Sequence, residues 1–154
     1  MAEMDKLKAI RDHEIAHREF FKSVLGADRL KDLTPNFSAV NFGSKTSVLN
    51  IARTFEDLGV AAYNGAGRFL TQDANLTLAG KIVSVEARHA AMIRDMIVQN
   101  SFASRMPMSG MGIDVPPAVL TTPGKDGFDM AMTPDEVPAL AAPFITETIT
   151  NNIR

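Results

Sequence analysis

Two Glu-x-x-His pairs stand out in the chain, Glu14-Ile15-Ala16-His17 and Glu86-Ala87-Arg88-His89, and a third glutamate, Glu56, is followed at the same spacing by Gly59. At 3.6 residues per turn, a residue and its third successor share one helix face, so each pair would present a carboxylate beside an imidazole. With 7 Glu and 3 His in 154 residues, random placement would supply about 0.14 such pairs, and the chain has two. Carboxylate oxygen with imidazole nitrogen is the donor set of iron, manganese or zinc. The chain has no cysteine, so no thiolate can contribute.

The residues around these groups repeat. Leu7, Leu49 and Ala79 lie seven positions before the three glutamates, Ile10, Ala52 and Ile82 four before, and Phe21, Tyr63 and Ile93 seven after. Each carboxylate therefore interrupts an apolar helical stripe. A carboxylate in a core costs several kcal/mol unless protons, cations or a metal neutralise it. Arg11, Arg18 and Arg53 stand at helical spacing from Glu14 and Glu56 and could form an ordinary ion-pair network there. That explanation fails at Glu86, whose same-face neighbours Ala79, Ile82, Val83, His89, Ala90 and Ile93 include no fixed cation. A metal accounts for the histidines as well. Tyr63, one turn beyond Gly59, could relay electrons or bond a ligand, although a core tyrosine with a satisfied hydroxyl is the commoner case. His13 to His17 also matches the His-Glu-x-x-His signature of zinc proteases, but that reading leaves Glu86 and His89 unused.

Three long helices must position these groups. Residues 2–25 carry a helical stripe that ends at Gly26, a C-terminal cap. An irregular linker, Ala27 to Gly43, leads to a second helix capped by Ser44 or Thr46 and reaching about Leu70. Asp73 or Asn75 caps a third helix to about Val98. The short second connection forces an antiparallel hairpin, and it sets Glu56 and Glu86 at equal distances from its turn, hence at one height. Gly59, Gly65 and Gly67 weaken the second helix, which close packing or a kink would explain. No strand signal appears in residues 1–98.

From Gln99 onward the composition shifts, and Pro107, Pro116, Pro117 and Pro123 exclude long helices. One short helix is signalled by Thr133 as cap, Pro134 at the first position and Glu136 at the capping-box position. Phe144 and Ile145 beyond it are expected to anchor this segment. Met106, Met108 and Met111 fit a soft-metal site or, more commonly, gap filling under irregular chain. The expected organisation is an all-α bundle over residues 1–98 with an irregular C-terminal extension over 99–154.

Composition removes several function classes. A net charge of −2, a pI near 5.9, no run of Lys or Arg and no Trp leave no electrostatic footprint for nucleic acid or an anionic membrane surface. No apolar stretch approaches the length of a membrane span, and the first dozen residues are too charged for a secretory signal, so a soluble, by default cytoplasmic, chain is expected.

The ordered segments Asp12-His13-Glu14-Ile15-Ala16-His17, Phe55-Glu56-Asp57-Leu58-Gly59-Val60-Ala61-Ala62-Tyr63, Glu86-Ala87-Arg88-His89 and Thr133-Pro134-Asp135-Glu136-Val137 resemble the bacterial ferritin-like domain family that includes desiccation-related proteins. The resemblance implies a ferritin-like four-helix bundle. Its site of two iron or manganese ions, or zinc, takes one Glu from each of two helices and a Glu-x-x-His from each of the others. Glu14 and His17 match the first pair, Glu56 a lone glutamate, and Glu86 and His89 the second pair. The family's first helix and its glutamate have no counterpart, so five of six ligands are present. Three explanations stand open: a segment ahead of Met1, a helix supplied by another chain in a homo-oligomer or hetero-complex, or a degenerate site without metal. Family members often carry an export signal ahead of that helix, so a periplasmic or exported protein fits the first explanation. The resemblance implies reaction with O₂ or peroxide in the manner of an oxidase or ferroxidase. The alternative from another class is a structural or assembly subunit with a vacant site.

Overall fold

The computed structural model describes residues 2–103 and 128–147, which fall into two compact units, Met1–Leu33 and Thr34–Arg154. Met106, Met108, Met111 and the prolines at 107, 116, 117 and 123 lie outside the described residues. Among the described residues there are four α-helices and no strand beyond one isolated bridge. No described helix is long and apolar enough to cross a membrane.

The first unit is built on α1, Glu3–Leu25. Acidic Glu3 and Asp5 in its first turn and Lys22 in its last complement the helix dipole. It stops where the sequence requires: Gly26 takes φ 51°, a left-handed conformation that suits glycine, and its N–H donates to the Lys22 carbonyl. A short 3₁₀ turn, Gly26–Asp28, follows, and Asp32 is held by Arg29 at 2.7 Å and Lys22 at 3.8 Å.

The second unit is an antiparallel hairpin of α2, Lys45–Ala66, and α3, Asp73–Ile97. Ser44, rather than Thr46, caps α2, its hydroxyl accepting from the Ser47 N–H at 3.3 Å. The α-helix ends at Ala66, four residues before Leu70, because the chain tightens into a 3₁₀ turn over Gly67–Phe69. Neither expected cap serves α3. Gln72 occupies that position, and Asp73 is the first helical residue, where its charge still favours the helix N-terminus. Gly67 lies beside Leu76, Gly59 beside Glu86 and Glu56 beside His89, a descending register against an ascending one.

The chain after α3 covers much of α2. Met132 donates its N–H to the Ala61 carbonyl at 2.9 Å, and Asn64 donates from Nδ2 to the Met130 carbonyl at 3.1 Å. Leu58, Ala61 and Met132 form a core cluster there, flanked by Met130, Val137 and Leu140. A second cluster joins Val40, Ile51 and Phe144 to Val48 and Phe55, with the Phe55 and Phe144 rings 5.0 Å apart, edge to face. Phe144 is thus a buried anchor. Its neighbour Ile145 bridges Pro35, with Asn36 donating to the Phe144 carbonyl and Thr146 to that of Thr34. Glu147 accepts from the Thr34 hydroxyl and N–H, and these bonds hold its carboxyl below the usual range. The short helix α4 is Glu136–Ala141. Its N-cap residue is Asp135, not Thr133, and Pro134 lies ahead of the helix; Thr133 instead donates from its N–H and hydroxyl to the Glu136 carboxylate, while its carbonyl accepts from the N–H groups of Glu136 and Val137.

Gly65 explains one of the helix-weakening glycines. A Cβ there would overlap the backbone carbonyl of Met132, so close packing against the returning chain, not a helix partner, demands glycine. Because the obstacle is backbone, a neighbouring rotamer change cannot relieve it. Gly65→Ala should cost about 3 kcal/mol, at the upper end of overpacking penalties. Urea denaturation would measure this, and a loss below 1 kcal/mol would show that the Met130–Met132 segment does not cross α2 this closely.

Candidate metal centre

Glu56 and Glu86 enter their helices as parts of apolar stripes, and both are buried, with 8% and 5% of their surface exposed. His89, one turn after Glu86, is 3% exposed. The hairpin register brings the three together: His89 Nδ1 lies 3.4 Å from Glu56 Oε2 and 3.8 Å from Glu86 Oε2. One ligand atom from each of the three residues lies within 4.8 Å of the others. Both separations exceed a hydrogen bond. They match donors arranged around a shared ion, since bonds of about 2.1 Å put neighbouring ligand atoms roughly 3–3.5 Å apart and opposed ones about 4 Å apart. Two carboxylates and one imidazole, all hard or borderline donors, suit iron, manganese or zinc.

Two of the arginines that stand at helical spacing from Glu14 and Glu56 in the sequence pair with their own neighbours. Arg11 pairs with Asp12 at 2.6 Å and Arg18 with Glu19 at 2.8 Å. Arg94 of α3 bonds the Asp57 carboxylate, a buried pair with the two residues only 4% and 2% exposed. Arg53, 1% exposed, belongs to the same group. Burial pulls its pKa down, the charge of Asp57 raises it, and that of Arg94 lowers it further. Ser101 closes the arrangement by donating to the Arg94 carbonyl at 2.7 Å. The charges beside Glu56 are thus organised around Asp57.

Of the residues singled out in the sequence, Glu56, Glu86 and His89 come together within the second unit. Glu14 and His17 belong to the first, where His17 Nδ1 stands 3.7 Å from Glu14 Oε1, the i,i+3 geometry expected of the pair. His13 is exposed, and Tyr63 is partly buried on α2. Asp57 and Arg94 were not picked out by sequence reasoning. The available signal was the run Arg53, Glu56, Asp57, in which Asp57 stands one turn from a basic residue.

The profile of the ferritin-like domain family matches residues 1–99, the three long helices together with the Glu-x-x-His pairs and Glu56. The chain belongs to the ferritin-like domain family. Its all-helical architecture agrees with that membership. No curated protein and no solved structure matches the chain. Ferritin-like bundles build their metal sites from side chains on facing helices, and the pairing of Glu56 on α2 with Glu86 and His89 on α3 follows that plan. The donors present therefore fit the group that the fold family implies.

Proposed function

We propose that this ferritin-like protein binds a pair of iron or manganese ions. In this reading Glu56, Glu86 and His89 on the hairpin would hold the ions, and Glu14 and His17 of α1 are the further candidate ligands. The observation that carries the proposal is the convergence of Glu56, Glu86 and His89 at 3.4 and 3.8 Å in a buried position on two helices. Burial of two carboxylates this close is unfavourable without a compensating cation, and a divalent ion supplies it. Such a centre, once loaded, would supply one-electron chemistry toward O₂ or peroxide. Glu56, Glu86 and His89 are buried, so the residues around them exclude bulk water from the position of the ion.

A soluble oxidase or ferroxidase working in an oligomer is the activity this site supports best. The experiment is metal analysis of protein purified without chelator. Two equivalents of iron or manganese per chain are expected, and both should be lost in His89→Ala. A folded protein that binds neither metal would support the reading as an assembly subunit with a vacant site.

A further inference from the structure

Beside the buried pair of Arg94 and Asp57 lies a cleft of about 230 Å³. None of the candidate metal donors lines it. Its wall is small and apolar where α3 passes, formed by Ala87, Ala90 and Ala91, and Val60 of α2 continues it. Positions 87, 90, 91 and 94 share one face of α3 at i, i+3, i+4 and i+7, so three alanines leave room along that face and Arg94 stands at its end. Past α3 the lining includes Phe102, which is 57% exposed. Arg94 brings charge to this apolar space, although its side chain is only 5% exposed. Counted over Arg53, Asp57 and Arg94, the buried group carries one more positive charge than negative, and Asp57 and Arg94 are the charges that act on Arg53. In a low-dielectric interior such an excess favours the approach of an anion. Water suits the cleft poorly, because a water held there needs about two to four polar partners and most of the wall is apolar.

We propose that this cleft binds a small organic monocarboxylate, its carboxylate toward Arg94 and its apolar body against the alanine face of α3. The metal-binding reading is not needed for it. Volume sets the size of the ligand: a cavity of about 150 Å³ accommodates benzene, so 230 Å³ has room for a benzene ring and a carboxylate. The Phe102 ring offers that body an aromatic neighbour. Asp129, exposed and also part of the lining, limits the charge, since a second carboxylate on the ligand would meet an anion there.

Benzoate is the probe, titrated into the full chain by isothermal calorimetry, and neutral benzamide, of nearly the same shape, isolates the contribution of charge. Benzoate should bind one to one, and benzamide at least tenfold more weakly, because the bond to a guanidinium is strong only when the acceptor is ionised. Ala91→Leu should fill the cleft from a partly exposed position on α3. It should keep the helical circular dichroism and melting temperature of wild type while its benzoate affinity falls at least tenfold. Benzamide bound as tightly as benzoate would overturn the proposal without recourse to any variant. Wild type that binds no benzoate, or a folded Ala91→Leu that binds it like wild type, would overturn it equally.

Discussion

Replacing Asp57 by alanine should destabilise the protein by about 3–5 kcal/mol, the cost of stripping one partner from a buried ion pair. Arg94 and Arg53 are 4% and 1% exposed, and Asp57 is the carboxylate whose charge favours both. Without it, two guanidinium groups remain in a dry interior and repel each other, since arginine does not discharge by losing a proton at ordinary pH. Urea unfolding of Asp57→Ala would report the loss. The pair itself need not be a net source of stability, because desolvation offsets much of its attraction. The double variant Asp57→Leu with Arg94→Leu should therefore recover more than half of it. A single variant within 1 kcal/mol of wild type would mean that Asp57 is solvated.

Glu86→Gln should separate the two roles of that side chain. Its volume and shape are nearly preserved, so packing changes little, but the amide is a poor bridging ligand. In the metal-free protein, two carboxylates whose oxygens approach within 4.8 Å oppose each other, and the variant should be at least as stable as wild type. With metal the order reverses. Manganese at about a thousand times its dissociation constant should stabilise wild type by about 4 kcal/mol, and the variant should gain little. Thermal unfolding with chelator and with excess manganese measures all four states. Equal metal-dependent gains in the two proteins would remove Glu86 from the ligand set.

Much of this was readable from residue types and spacing. The positions of Glu56, Glu86 and His89 follow from helical period and hairpin symmetry alone, because both are fixed by local geometry. Gly26 marked the end of α1, since caps are local too, whereas Thr133 with Pro134 placed the start of α4 two residues early. The end of α2 was misjudged by four residues because the stripe continues through Leu70, while the backbone had already tightened into a 3₁₀ turn at Gly67. Tertiary demands left fainter traces. Gly65 reads in sequence as one weak helix residue among three, and nothing local says that the chain some seventy residues later will cross it. Asp57 was overshadowed by Glu56 for a related reason. Its partner Arg94 lies on another helix, and pairing across helices has no sequence period.

The most direct measurement is anomalous diffraction from crystals grown with iron or manganese, collected at the absorption edge of the metal. A strong peak within about 2.0–2.3 Å of a carboxylate oxygen of Glu56, a carboxylate oxygen of Glu86 and Nδ1 of His89 is expected. Crystals that hold the metal only at surface carboxylates, with these three side chains closed on one another and no anomalous signal between them, would contradict the metal centre.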